Sequence, residues 1–395
     1  MTVMPVPPVG DLRVVPAQGP EMRGLSNRFY TDAACFEFER DHLFAKTWAC
    51  IGFGRDVPAP GDVAPVSLLG IPLILLRDKR GKLRVYHNVC SHRGMTLVDK
   101  PKHCEGVIRC PYHSWAYDLD GALRATPKFG GPESNNINGF DRAAHGLREV
   151  RAAVWFDAVF VDLSGKAPAF ETHIAPLGKR WAMFDESLIR HGGSESSLKL
   201  QLSCNWKLAV ENYCEAYHLP WVHPGLNSYS RLEDHYNIME ESSFAGQGSH
   251  AYKPALTSDG TQLPVFPDLP EAWRGSAEYV ALFPNLLIGI HQDHVKSVRI
   301  EPLAPDRSIE HLEIYYVGDE ALDERYRQVR TANLAAWRQV FQEDVFAVEG
   351  MQQGRRSPAF DGGLFSPVMD AATHCFHRWA ADRYAAAEGR KPTPN

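Results

Sequence analysis

Two short clusters, Cys90-Ser91-His92 and Cys110-Pro111-Tyr112-His113, carry the first chemistry in this sequence. Each sets one thiol and one imidazole on a tight turn. Two thiolates and two neutral imidazoles can hold a [2Fe–2S] centre whose irons are chemically unequal, with the cysteines on one iron and the histidines on the other. Replacing thiolate by imidazole removes negative charge, so the reduction potential rises to roughly −150 to +300 mV, a range suited to passing single electrons. A structural zinc ion also accepts two Cys and two His. Zinc fingers, however, group a Cys pair and then a His pair, whereas each pair here is mixed, and that grouping favours the iron–sulfur centre.

A second constellation lies in the segment from Asn205 to Pro224, NWKLAVENYCEAYHLPWVHP. The spacing predicts a helix over 206–217, on which Glu211, Cys214, Glu215 and His218 share one face because steps of three and four match the helical repeat. Pro220 is expected to end that helix, leaving His223 on the following turn, where it joins His218. A later helix, over about 326–351, carries Leu334, Trp337, Phe341, Asp344, Val348 and Met351 at alternating steps of three and four. Asp344 occupies a position where a hydrophobe belongs, and a buried carboxylate costs roughly several kcal/mol unless it is paired or bound to a metal. An Arg partner is one solution; coordination is the other. Glu343 falls off the stripe and reads as solvated. His218, His223 and Asp344 together form a two-His, one-carboxylate set of the kind that binds Fe(II) and leaves positions open for O2.

These residues need elements to place them. Residues 46–165 read as antiparallel β-structure, with short runs such as Ile71–Arg77 and Leu83–His87 separated by turns at Lys79-Arg80-Gly81 and Asp120-Gly121. Phe129–Asn136 reads as a loop and Ala153–Val161 as a closing strand, with a boundary near Ser164-Gly165-Lys166. Beyond it, strands are expected at Leu198–Leu202, Tyr279–His291, Ser297–Pro302 and His311–Val317, and with the two helices they make a mixed α+β domain. Three segments follow: 1–45, 46–165 and 166–395. No internal repeat or low-complexity stretch interrupts them.

A chain of 395 residues with 44% hydrophobic and 23% charged residues is long enough for two cores. The net charge of −6, without a run of like charges, argues against nucleic acid as a partner. The N-terminus lacks a basic region followed by an apolar core, and the longest apolar runs, such as Ile71–Leu76, are too short to span a bilayer, so a cytoplasmic location is expected. Of the eight cysteines, six (Cys35, Cys50, Cys104, Cys204, Cys214, Cys375) lack a pattern and read as free thiols. Cys104 sits in a polar setting, Lys102-His103-Cys104-Glu105, that reads as a loop tip outside the ligand set.

The motifs Cys90-x-His92-Arg93-Gly94, Cys110-Pro111-Tyr112-His113-Ser114-Trp115, Asn205-Trp206-Lys207, Glu211-Asn212, Glu215-x2-His218-x4-His223 and Glu343-Asp344, with Glu349 and Gln352 beyond, resemble those of the catalytic α subunit of Rieske non-haem iron oxygenases. The resemblance runs along nearly the whole chain. It implies an antiparallel β Rieske [2Fe–2S] domain, a helix-grip (START-like) catalytic domain with an antiparallel sheet and helices, and an N-terminal segment packed on the catalytic domain. It implies Cys90, His92, Cys110 and His113 as cluster ligands, His218, His223 and Asp344 as ligands of mononuclear Fe(II), and Glu215 and Asn212 as catalytic residues beside them. Homotrimers or dimers of trimers are expected, the cluster of one subunit feeding the iron of its neighbour. Glu215 is expected to join the two centres rather than bind iron, since metal-bound histidines commonly donate their second N–H to a carboxylate. No Gly-x-Gly-x-x-Gly motif occurs in a strand-to-helix context, so the nicotinamide and flavin are expected on a separate NAD(P)H-dependent reductase or ferredoxin.

Many ring-hydroxylating members carry Asp three residues before the first iron histidine. Glu215 stands there in this chain, as in members acting on carnitine, betaine and related amines, and points to N-demethylation or C–N cleavage of a small quaternary or N-methylated ammonium compound. Tyr213, Trp221 and Phe283 are candidates for a cation-binding cage or for ordinary pocket packing. Aromatic-ring hydroxylation or O-demethylation is the alternative chemistry. A Rieske electron carrier without oxygenase activity is the alternative class, and it leaves His218, His223 and Asp344 without purpose.

Overall fold

The computed structural model describes residues 22–240 and 242–387. The remaining residues, including the first 21 of the expected N-terminal segment, lie outside the described part. The chain divides into two compact units: Lys46–Ala167, and the described parts of Met1–Ala45 and Pro168–Asn395.

The first unit is β-structure. Its strands are β1 (Ala49–Phe53), β2 (Asp62–Leu68), β3 (Ile71–Arg77), β4 (Leu83–His87), β5 (Lys102–His103), β6 (Val107–Arg109), β7 (Ala116–Asp118), β8 (Leu123–Ala125), β9 (Glu149–Trp155) and β10 (Ala158–Asp162). They form a seven-stranded sheet in the order β1-β10-β9-β4-β3-β2-β5 and a three-stranded sheet β6-β7-β8. All their pairs are antiparallel, some as hairpins such as β2–β3 and β3–β4 and others, β1–β10, β4–β9 and β2–β5, between strands distant in sequence. Gly81 and Gly121 take φ of 81° and 86° at the two turns expected from sequence, a region that glycine enters without steric cost. The run Ala153–Val161 is not one strand. It folds back at Phe156-Asp157, both at positive φ, because the Asp157 carbonyl accepts from Gly54 N–H and its carboxylate from Arg55 N–H. Uniform hydrophobicity hid that turn.

Ile74, Leu76, Tyr86, Ile108, Trp115 and Tyr117 pack into a core that includes Cys90, Cys110 and Cys104. Burial of each aliphatic or aromatic side chain there is worth about 1.5–3 kcal/mol. Cys104 is therefore not at a polar tip: its thiol turns inward while its neighbours face solvent.

In the second unit, β11 (Ile189–His191), β12 (Ser197–Leu202), β13 (His235–Glu240), β14 (Phe244–Ser249), β15 (Ala277–Leu282), β16 (Leu286–His291), β17 (His294–Ala304) and β18 (Arg307–Val317) form one antiparallel sheet. Its order is β11-β18-β17-β16-β15-β14-β13, with β12 also on β18. The helices are α1 (Arg28–Thr31), α2 (Ala33–His42), α3 (Phe170–Arg180), α4 (Trp206–Cys214), α5 (Leu219–Val222), α6 (Pro224–Asn227), α7 (Arg327–Gly354) and α8 (Ala371–Ala387). α4 packs on β14 and β15 and against α7 and α8. The α+β class expected from sequence holds. Tyr279–His291, expected as one strand, is the β15–β16 hairpin, its turn made by Phe283, Pro284 and Asn285. α8 had no forecast, because it is apolar on most sides and shows no stripe.

α2 is tied to this unit by a buried carboxylate. Glu39 accepts from Trp206 Nε1 at 2.8 Å, from Lys207 Nζ at 2.5 Å and from Tyr384 Oη at 2.5 Å. The Asn205-Trp206-Lys207 motif thus builds a structural knot; Asn205 itself caps α4 by accepting from Lys207 N–H. Among the described residues no helix is long and apolar enough to cross a membrane.

Candidate metal centres

β4 runs directly into the first cluster loop, and the fully buried Asn88 staples that loop shut. Its amide donates to Val98 C=O at 2.7 Å and accepts from the N–H groups of Leu97 and Val98 at 3.0 Å. The second loop joins β6 to β7. The two loops repeat one backbone pattern: Cys90 N–H donates to Met95 C=O and Gly94 N–H to Cys90 C=O, while Cys110 N–H donates to Trp115 C=O and Ser114 N–H to Cys110 C=O. The fifth residue of each is left-handed, Gly94 at φ 76° and Ser114 at φ 56°. A serine held there costs of order 1 kcal/mol or more, and such strain persists where the surroundings over-determine it.

The loops bring His92 and His113 together, their ring centroids 4.8 Å apart. His92 lies flat on Trp115 at 4.7 Å. His113 Nδ1 is buried without a hydrogen-bond partner, and burial, then His113 and Arg93, lower the His92 imidazole below its usual value and keep it neutral. Neutral imidazole is the ligating form. Burial pushes the Cys90 thiol up, so a bound metal must displace its proton. Two thiols, two imidazoles and an orphaned ring nitrogen fit the mixed-ligand iron–sulfur centre.

The second centre forms where α4, the α5–α6 turn and α7 meet. His218, His223 and Asp344 each offer one ligand atom, all within 4.8 Å of one another. His223 Nε2 lies 3.0 Å from Asp344 Oδ1 and His218 Nε2 lies 3.6 Å from the same oxygen. The opposite nitrogens are taken: His218 Nδ1 by Glu215 at 2.6 Å and His223 Nδ1 by Glu343 at 2.8 Å. Each ring is therefore fixed, with Nε2 aimed at the shared point. Burial lowers the His223 imidazole, but Asp344 and then Glu343 outweigh it and raise it above its usual value. Two imidazoles, a carboxylate and two supporting acids suit a divalent cation. Among the described residues no Arg pairs with Asp344; Asn212 Nδ2 donates to it at 3.0 Å.

Several expectations change. α4 ends at Cys214, and Glu215 is extended. The Glu215 carboxylate accepts from the N–H groups of Tyr217 and His218, donors that a continuing helix would use, and Gln247 Nε2 takes the Glu215 carbonyl at 2.8 Å. Pro220 does not stop a helix; it lies in the first turn of α5, where its missing N–H costs nothing. Glu211 and Cys214 leave the site altogether. Glu211 is buried against Tyr30, Arg355 and His377, and the Cys214 thiol faces Ala245 C=O. Glu343, expected in solvent, holds His223. Met351 is exposed, and the stripe continues through the buried Gln352. Of the candidate cage, Tyr213 lines the pocket beside the triad, Trp221 is 72% exposed, and Phe283 packs against Phe376 and Trp379. Tyr279, Lys296, Trp337 and Phe341 line the pocket unannounced. For Lys296 a signal existed: it shares a strand face with Val298 and Ile300.

Residues 47–138 match the family model of the Rieske [2Fe-2S] domain, and residues 190–386 match that of the ring hydroxylating alpha subunit catalytic domain. The chain belongs to the Rieske non-haem iron oxygenases, as a catalytic α subunit, and is an oxidoreductase whose cofactors are a [2Fe–2S] cluster and mononuclear iron. It is similar to the carnitine monooxygenase oxygenase subunit of Escherichia coli (strain K12), 27% identical over 348 residues and 85% of each chain. It is similar as well to the chloroplastic choline monooxygenase of Arabidopsis thaliana, 27% identical over 88% of this chain and 80% of that one. The fold is shared with the quaternary ammonium Rieske monooxygenase CntA, at a TM-score of 0.77 and 21% identity over 96% of this chain and 99% of that chain.

Proposed function

We propose that this chain is the terminal oxygenase of a multicomponent system that receives electrons singly from a separate NAD(P)H-dependent reductase or ferredoxin and monooxygenates a small quaternary or N-methylated ammonium compound. The similarity to carnitine and choline monooxygenase subunits over most of both chains carries the substrate class, and Glu215 before His218 agrees with it. We place Cys90, His92, Cys110 and His113 on the cluster and His218, His223 and Asp344 on iron. When bound, the cluster supplies single electrons and the iron supplies positions at which O2 is activated.

The chain's own residues prepare that chemistry. Glu215 and Glu343 fix the two imidazoles in the tautomer that leaves Nε2 free, and Asn212 donates to Asp344 so that its carboxylate keeps one orientation. Leu219, Leu226, Val340 and Phe341 line the pocket with apolar surface and keep water from the reacting C–H bond. One oxygen atom enters that bond; the other leaves as water with two electrons and two protons. A hydroxyl on the carbon next to nitrogen then collapses, breaking the C–N bond and giving an aldehyde and the shorter amine.

Purified protein is expected to contain about three irons and two sulfides per chain, one [2Fe–2S] cluster plus one iron. NADH-driven O2 uptake with a ferredoxin-type reductase is then measured against a panel of betaines, choline and methoxylated aromatics, with aldehyde release as the second readout. Asp344→Ala loses one iron and all turnover while keeping the cluster absorption. Uptake driven by aromatics and by no amine would refute the substrate class; full activity in Asp344→Ala would refute the triad.

A further inference from the structure

The pocket beside the triad holds a cation of the chain's own. The Lys296 ammonium lies 3.2 Å from the Trp337 ring centroid and 5.0, 5.2 and 5.4 Å from those of Phe341, Tyr279 and Tyr213. Four rings around an ammonium are the arrangement that receives quaternary ammonium ligands. Here the box is already filled. Lys296 is 1% exposed, and no carboxylate pairs with it among the described residues; Asp344 and Glu310 act on it only at longer range.

Two more donors belong to residues that line the same pocket. The hydroxyls of Tyr213 and Tyr279 are buried without a hydrogen-bond partner. Gly289 on β16, opposite Lys296 on β17 and Tyr279 on β15, leaves them room: a Cβ there would stand 3.1 Å from Lys296 Cε, 3.2 Å from Tyr213 Oη and 3.2 Å from Tyr279 Cδ1. A buried unpaired ammonium and two unpaired hydroxyls are each unfavourable alone. A ligand that brings one negative charge and several acceptor oxygens satisfies all three.

We propose that Lys296, with the Tyr213 and Tyr279 hydroxyls, binds a carboxylate of the substrate, so that the pocket selects a zwitterionic N-methylated amino acid over a purely cationic amine. The selection of a zwitterion rests on the ammonium-substrate reading above; the carboxylate anchor does not. Burial drives the Lys296 ammonium well below its usual value, with Asp344 and then Glu310 partly opposing, and an incoming carboxylate would oppose the burial further. The aromatic box is closed to the substrate's own ammonium group.

Binding to the anaerobic holoenzyme is measured by calorimetry with glycine betaine, γ-butyrobetaine and carnitine, with choline as the cation lacking a carboxylate, and with 4-methoxybenzoate as the carboxylate lacking an ammonium. The best zwitterion is expected to bind at least about 30-fold more tightly than choline, as for a buried charge pair. Lys296→Met brings that ratio to within about threefold, and Lys296→Arg restores most of it. The double substitution of Tyr213→Phe and Tyr279→Phe lowers zwitterion affinity roughly tenfold and leaves choline unchanged, which keeps the test open if Lys296→Met fails to fold. Lys296-dependent binding of 4-methoxybenzoate, with no amine bound, would refute the ammonium reading and leave the anchor standing. Equal binding of choline and zwitterions, a preference that survives Lys296→Met, or no carboxylate-dependent binding across the panel overturns the proposal.

Discussion

Beside Cys90, which we place on the cluster, one hydroxyl bears on the electron-transfer chemistry. Tyr117 Oη lies 3.2 Å from the Cys90 sulfur and accepts from Ser91 N–H at 3.1 Å. The Ser91 hydroxyl donates to His145 C=O at 2.7 Å, so its own proton is spent, and a thiolate can only accept. Tyr117 has one proton for two acceptors, the Ser91 hydroxyl oxygen at 2.9 Å and the Cys90 sulfur; we propose that it goes to sulfur, where the bond would strengthen as a bound cluster gained an electron and so favour the reduced form. Tyr117→Phe keeps the ring and removes the proton. A differential hydrogen bond of about 1 kcal/mol corresponds to roughly 40 mV for one electron, and a spectroscopic redox titration is expected to place the variant lower by that order with its cluster absorption retained. An unchanged or raised potential would exclude the donor role. Glu343 and Lys296 act at the same scale, and each escaped the sequence for a different reason. Glu343 was judged by its place on a helix stripe, where only burial counts, whereas its carboxylate bends over the helix edge to reach His223. Lys296 lay among residues of one buried strand face, a conflict between residue type and pattern that marks function.

The long β17–β18 hairpin carries Lys296 into the pocket, and a charge cluster near its far end holds its register. Arg299 lies opposite His311, and Glu301 reaches Arg299 at 3.1 Å and His311 at 2.7 Å. Burial raises the Glu301 carboxyl, but His311 and Arg299 outweigh it and bring it from 4.5 down to about 2. A carboxylate depressed in the fold adds stability above its unfolded pKa and loses it as pH falls through the folded one. Glu301→Gln is therefore expected to cost about 2 kcal/mol at pH 7, after allowance for solvent screening. The gap between variant and parent narrows as pH falls from about 4.5 to about 2, read by urea denaturation across that range. A constant gap would assign the loss to packing instead. Elements were legible where periodicity and turn residues agreed, as in β3, β4 and α7. They were misread where a side chain overruled the pattern. Nothing in the spacing of Glu211, Cys214, Glu215 and His218 reveals that the Glu215 carboxylate captures the two N–H groups needed to extend α4. Periodicity put four side chains on one face; the break at Cys214 removed two of them and left the proposed iron set together, because His218 and His223 flank α5 and Asp344 comes from α7.

Each unit carries one proposed centre on its own core, the cluster loops on the β-sandwiched side chains of Lys46–Ala167 and the triad at the two ends of α5 and on α7. Losing one centre therefore need not unfold the other. We propose that the functional molecule is a cyclic trimer in which the cluster of one subunit serves the iron of the next, with Glu215, already bonded to His218, facing that junction. A heterologous ring of identical chains gives every iron one neighbouring cluster. His113→Ala removes the cluster and Asp344→Ala the iron, so homotrimers of either are inactive. In trimers assembled from equal amounts of both, an iron works only where its own subunit is the cluster-dead chain and its neighbour the iron-dead one, and random assembly yields that arrangement for roughly a quarter of all positions. Co-expressed and co-purified variants are expected to regain turnover near that fraction of the parent, while separately folded variants mixed afterwards stay inactive unless subunits exchange. Transfer within one chain predicts none in either case. Adding Glu215→Gln to the His113→Ala chain places the substitution on the only working irons: if the carboxylate spans the junction, the recovered activity disappears with iron content unchanged, and if it only orients His218, activity and iron occupancy fall together.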